Sequence, residues 1–146
     1  MKENIFKKTE YALYNYKNLE IKIKNIEIDI ENLKNDYTGI TAISYEEKSS
    51  PTFKFNSSVE NEVVKKEKLI KQLEGVKEYN LNLKRKIDNA LKCLTSESYK
   101  LVELRYFTQP KKTWVAIGNE IKMDKDYCCK KRCEIINKLA ELIYSY

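Results

Sequence analysis

The stretch TWVAIGNEIKMDKDYCCK, residues 113–130, decides how this chain is read. Thr113 is a good N-cap, because a threonine hydroxyl can accept from a free N–H in the first turn of a helix. A short helix is expected from it, carrying Trp114, Val115, Ala116, Ile117 and Gly118 to Ile121. Ile117 and Ile121 point one way, and Gly118 is small where two helices must cross closely. Met123 and Cys128 supply apolar residues on either side of a tight turn. The turn at Lys122-Met123-Asp124 lets Asp124 cap a last helix from Lys125 to about Ile143. The buried side of that helix is expected to be Cys128, Ile135, Ile136, Leu139, Leu142 and Ile143. This spacing predicts a helix-turn-helix.

Immediately upstream, Leu94-Thr95-Ser96-Glu97-Ser98 offers Thr95 or Ser96 as the N-cap of a further helix reaching Tyr106 or Phe107. Its expected apolar face is Tyr99, Leu101, Val102, Leu104 and Tyr106, and Thr108-Gln109-Pro110 breaks it. Residues 95–146 are thus read as one DNA-binding domain. A helix lying in the major groove reads base edges with residues near its N-terminus. Lys125, Asp126, Cys129 and Lys130 are the expected base contacts, because they lie in the first two turns and project away from the apolar side. Lys111, Lys112, Lys131 and Arg132, with the N–H groups at Thr113 and Trp114, suit phosphates, which flexible cations and helix N-termini bind without reading sequence. Double-stranded DNA is the expected partner.

The front of the chain carries a different pattern. Ala12, Tyr16, Leu19, Ile23, Ile26, Ile30, Leu33 and Tyr37 follow one another at alternating spacings of four and three, which is a heptad seam. At 1.5 Å per residue it makes a rod of roughly 39 Å. Tyr14, Ile21 and Ile28 form a second apolar line offset from it, so this helix calls for more than one partner. Periodicity then vanishes across residues 38–58, where Gly39, Pro51 and serines supply breakers, and a connecting loop is expected there. Ser57 with Glu60 fits a capping box that would open a second helix at about Val59. The second seam is Leu69, Leu73, Val76, Asn80, Leu83, Ile87, Ala90 and Leu94. Residues 1–94 are therefore read as a long antiparallel helical hairpin, coiled-coil-like, that serves oligomerisation or partner binding; a homodimer is favoured, and pairing within one chain or between copies stays open. The fold class expected for the whole chain is all-α.

Composition narrows the function. Of 146 residues only three are Gly and two Pro, too few turn residues for a many-stranded β fold. The net charge of +6 permits attraction to a polyanion. It is shared about evenly between residues 1–94 and 95–146, so charge alone does not locate a nucleic-acid face. Cys93, Cys128, Cys129 and Cys133 match neither a disulfide framework nor a paired metal site, and no His completes a zinc set. Reduced thiols and no cofactor are expected. The first residues hold no apolar run of the length a signal peptide or membrane helix needs, which predicts a cytoplasmic protein without membrane contact. With no His, no phosphate-cradling glycine loop and no nucleophile elbow, an enzyme is not expected.

The run Leu101-Val102-Glu103-Leu104-Arg105-Tyr106-Phe107, then Thr113-Trp114 and Ile117, then Cys128 and Ile136-Asn137-Lys138-Leu139, resembles region four of bacterial sigma factors. More narrowly it is similar to the ArpU and RinA type of phage late-transcription regulators, in which a helical N-terminal part precedes such a domain. The resemblance covers about 50 residues and implies a promoter-proximal DNA-binding activator of late phage genes; separately, RNA polymerase is the expected partner of the hairpin where the hairpin does not dimerise. Lys122 stands where that pattern usually has Gly, Gly118 where Ala is more usual, Tyr127 where Ser or Thr commonly opens the reading helix, and Lys131 where an apolar residue is frequent. Two other readings stay open: a DNA-packaging protein like a phage small terminase, and a coiled-coil adaptor or scaffold that binds only protein.

Overall fold

Long stretches of Lys, Glu, Leu and Ile with few breakers leave the backbone little alternative to helix. The computed structural model describes residues 2–46 and 53–144, with side chains described over 4–36 and 60–144. Its elements are α1 (Lys2–Tyr14), α2 (Tyr16–Glu46), α3 (Phe53–Leu91), α4 (Ser96–Val102) with a π-helical continuation over Glu103–Phe107, α5 (Trp114–Ile121) and α6 (Lys125–Tyr144). No strand occurs among the described residues, and the fold is all-α. None of the described helices is long and apolar enough to cross a membrane.

The stretch 38–58, expected as a connecting loop, is not a loop throughout. α2 runs on to Glu46 and α3 begins at Phe53, so both ends of that stretch are helical and residues 47–52 lie outside the described residues. Ser57 falls within α3 rather than at its start, and the predicted capping box with Glu60 does not open the helix. Once a helix is nucleated, each further residue adds one hydrogen bond. Propagation therefore carries a helix through polar sequence that has lost its apolar stripe. Gly39 is among the residues so included, although Gly costs about 1 kcal/mol against Ala.

Contacts divide the chain into residues 1–20 with 82–146, and residues 21–81. The boundary expected between 94 and 95 is therefore displaced. The first unit closes around α1, which packs on α6 and on the π-helical turn. Its core holds Leu13, Ile87, Leu101, Val102, Tyr106, Cys128, Ile136 and Leu139, all nearly or fully buried. On α1 the inward residues Phe6, Thr9 and Leu13 recur at helical spacing. Thr9 is completely buried, and its hydroxyl donates to the Ile5 carbonyl at 2.8 Å, which satisfies the one polar group that face would otherwise strand. At Asn15 the helix breaks for one residue between α1 and α2. The Asn15 amide donates to the Tyr11 carbonyl at 2.8 Å, a local bond of the kind that competes with regular helix. The aromatic rings flanking the break lock onto the π-helical turn: Tyr14 meets Tyr106 edge-on at 4.6 Å, and Tyr16 lies 4.8 Å from Phe107.

In the second unit α2 and α3 lie side by side, with Lys77 Nζ 3.1 Å from Glu27. Ile23 and Ile30 of the first predicted seam are buried, and Ile26 and Leu33 are half-buried. The second predicted seam holds at Leu73, Asn80, Leu83, Ile87, Ala90 and Leu94 and fails at two positions. Leu69 and Val76 are exposed, while Ile70, Leu73, Lys77 and Asn80 take the half-buried positions. Leu69 and Ile70 are adjacent apolar residues about 100° apart on the helix, and α2 supplies the partner surface that selects between them. Lys77 tolerates the place because its methylene stem can lie along apolar surface while its ammonium reaches Glu27. Ile21 and Ile28 are also exposed, on the second apolar line of α2.

Candidate nucleic-acid interface

Local sequence builds α4, α5 and α6 as it predicts. Thr95 caps α4 by accepting from the Ser98 N–H at 3.2 Å, and Thr113 caps α5 by accepting from the Ala116 N–H at 3.2 Å. Of the expected face of α4 and its continuation, Leu101, Val102, Leu104 and Tyr106 are buried, whereas Tyr99 is exposed and Phe107 takes a core place. α6 begins at Lys125, and the Asp124 carbonyl accepts from the Cys128 N–H at 3.0 Å. Its inner side is Cys128, Ile135, Ile136, Leu139, Ala140 and Ile143. Leu142, expected there, is exposed instead, and Ala140 replaces it.

The turn between α5 and α6 is made by backbone conformation and close approach. Lys122 is left-handed, with φ 59° and ψ 46°, and its neighbour's N–H at Met123 donates to the Gly118 carbonyl at 2.8 Å. A Cβ at Gly118 would stand 2.6 Å from the Met123 carbonyl oxygen. Gly118 is thus needed because the turn folds back onto it, rather than for a crossing of two helices. Lys122 occupies a conformation that a Cβ disfavours by roughly 1–2 kcal/mol, and the hydrogen bond at Met123 helps hold it there.

The four residues predicted to contact bases gather on one stretch of α6. Lys125, Asp126 and Lys130 are exposed, and among the described residues their side chains form no ion pair or hydrogen bond. Cys129 is half-buried, between them and the fully buried Cys128. Burial pushes the Cys128 thiol above its ordinary pKa, with Cys129 and Asp124 adding to the shift, so it is a core group.

The residues predicted for phosphate are used more variously. Lys111 is exposed, with its ammonium 4.5 Å from the Tyr14 ring. Lys112 is half-buried and pairs with Glu120 at 2.6 Å, and its carbonyl accepts from Arg105 Nη1 at 2.7 Å. Thr113 spends its hydroxyl on the cap, and Trp114 is a half-buried core neighbour. Lys131 lies 3.8 Å from Glu134. Arg132 is engaged with α1: its Nε lies 3.7 Å from Glu10, and its guanidinium carbon stands 5.6 Å from the Trp114 ring. Desolvation alone would lower the Arg132 pKa, but Glu10 and Tyr106 outweigh it and hold the group firmly charged. Lys111 is thus the one of the four phosphate-assigned cations that pairs with no carboxylate among the described residues.

Sequence reasoning missed Arg105 and Glu10. Arg105 lies 4.6 Å from the Trp114 ring while donating to Lys112, and so frames the start of α5. Glu10 sits 21 % exposed on α1, where its Oε1 accepts from Tyr106 Oη at 2.7 Å. The available signal was the recurrence of Phe6, Thr9 and Leu13 at the start of the chain, overlapping the first residue of the heptad seam, which marks an inward face without naming its partner. No group of three or more metal-ligating side chains occurs among the described residues.

A family model described as "Protein of unknown function (DUF722)" matches residues 5–141, and the chain belongs to that family. The match spans both units. No curated protein and no solved structure matches the chain.

Proposed function

We propose that this member of the DUF722 family is a sequence-specific DNA-binding transcription regulator, a binding protein rather than a catalyst. In this reading α5, the turn at Lys122–Asp124 and α6 form a helix-turn-helix, and the first turns of α6 enter the major groove. The observation that carries it is the arrangement of α6. Cys128 anchors the helix inward while Lys125, Asp126 and Lys130 remain exposed on its first two turns, with no ion pair or hydrogen bond among the described residues. Unspent donors and acceptors at the start of a helix are what base-edge recognition requires. Lys111 is the best phosphate contact, with Lys112 and Lys131 secondary because each already has a carboxylate neighbour. The sequence resemblance to sigma region four and to ArpU and RinA type regulators supports a role at phage or prophage late promoters, with RNA polymerase as a partner and the cytoplasm as the site of action. The exposed Ile21, Ile28, Leu69 and Val76 of the second unit support pairing of two copies, which would supply two reading helices per complex.

The test is a binding selection on random DNA with the purified full chain, followed by titration of the enriched duplex. Changing Lys125 and Lys130 together to Ala removes the preference for the enriched site. Changing Lys111 and Lys112 weakens binding to every duplex and lowers the salt slope. Selection that enriches no site would transfer the weight to a protein-binding scaffold.

A further inference from the structure

We propose that Glu10, more than 110 residues before the reading helix in sequence, is its positioning residue, and that α1 is thereby a working part of the DNA reader. The inference rests on the DNA-binding role proposed above. A single carboxylate oxygen of Glu10 accepts from Tyr106 Oη at 2.7 Å and stands 3.7 Å from Arg132 Nε. Through Tyr106 it holds the π-helical turn, and through Arg132 it holds α6 at a residue only two beyond Lys130. The same guanidinium lies 5.6 Å from the Trp114 ring and 5.7 Å from the Phe6 ring. Trp114 begins α5, and Arg105 covers it at 4.6 Å. One acidic group on α1 therefore meets α6 and the π-helical turn directly, and α5 through the arginine.

Such a group governs rotation of α6 about its own axis. A residue on a helix subtends about 100° of that axis, so a small rotation carries Lys125 and Lys130 away from the positions they hold. The apolar core resists tilt well but rotation less specifically, because Leu, Ile and Cys side chains repack. On the α6 side the Glu10 contact is an ion pair at 3.7 Å, too long for a hydrogen bond, to a buried Arg132 Nε that has no hydrogen-bond partner among the described residues; it is partly desolvated, with side-chain exposures of 21 % for Glu10 and 28 % for Arg132. A partly buried charge pair is screened less than a surface one. Arg132 in this arrangement orients the helix and does not bind phosphate.

The experiment compares the full-length wild type with Glu10→Gln, Arg132→Gln and the exchanged pair Glu10→Arg with Arg132→Glu. The probes are a fluorescein-labelled duplex from the selection and a labelled random-sequence duplex, titrated across a range of salt. Emission of Trp114, the chain's one tryptophan, is read in parallel. Both single variants are expected to lose about tenfold in preference for the selected duplex, the scale of loosening one base-reading contact. Both shift the Trp114 emission and leave the salt slope unchanged, and the charge exchange recovers part of the preference. Where Glu10→Gln does not fold, Glu10→Asp keeps the charge, shortens the reach and gives a smaller loss in the same direction. A salt slope lowered by about 0.9 in Arg132→Gln would make Arg132 a phosphate contact and overturn the proposal. So would Glu10→Gln with wild-type preference and emission. A wild type that prefers neither duplex overturns the DNA reading itself, a result distinct from a selective wild type with an inert Glu10 variant.

Discussion

Gly118 shows how one missing side chain carries the turn. Its hypothetical Cβ would lie 2.6 Å from the backbone oxygen of Met123, a contact that no side-chain rotation relieves. Gly118→Ala is therefore expected to destabilise the first unit by about 1–3 kcal/mol, the usual range for forcing an extra carbon into a closed space, although alanine is the better helix former. Urea denaturation of the two chains checks it, and equal midpoints would mean that the turn relaxes freely. Tyr106 makes a second residue-scale prediction. Burial, then its hydrogen bond to Glu10, pushes its pKa well above the ordinary value of 10.0. The unfolded chain then releases this proton near pH 10 while the folded chain retains it, so stability is full below that pH and falls as pH rises above it. Tyr106→Phe should flatten that alkaline loss while lowering stability at neutral pH, as followed by denaturation midpoints from pH 8 upward.

At the scale of elements, the register of α3 separates what periodicity can and cannot decide. Both Val76 and Ile87 belong to the seam read from sequence, yet Val76 is 49 % exposed and Ile87 is fully buried. Ile87→Ala should cost about 2–5 kcal/mol, as core truncations do, whereas Val76→Ala should change stability by less than about 1 kcal/mol. Thermal denaturation of both variants tests this, and comparable losses would mean that Val76 is covered by a second copy. The cap at Thr113, by contrast, joins two residues three positions apart and needs no partner element to form. α4, α5 and α6 are legible almost to the residue for this reason: the caps of α4 and α5, the breaks and the apolar faces are local. The mistaken places, Leu142 for Ala140 and Tyr99 for Phe107, lie where a neighbouring helix chooses which flank of an apolar sector it covers.

For the whole molecule the consequential fact is that the two ends of the chain fold together. Leu13 of α1 is fully buried in the same core as Leu139 of α6. Leu13→Ala should destabilise the first unit by about 2–5 kcal/mol, and the loss should register in Trp114 fluorescence, 101 residues away, because both belong to one packed cluster. A Trp114 transition that ignores Leu13 would mean that α1 folds apart from α4, α5 and α6. The sequence by itself determined the helical class, the positions of α4 to α6, the caps of α4 and α5, the buried line Leu19, Ile23 and Ile30 of α2 and the exposure of Lys125, Asp126 and Lys130 at the start of α6. All of these depend on periodicity, capping chemistry and turn residues within a few positions of one another. Only the tertiary structure decided that α1 joins the C-terminal helices, that the helices reach into the stretch read as a loop, and that Arg132 is bound by Glu10 instead of standing free. Those outcomes depend on which surfaces meet across more than 100 residues of chain, and a periodic stripe states that a face will be buried without stating against what.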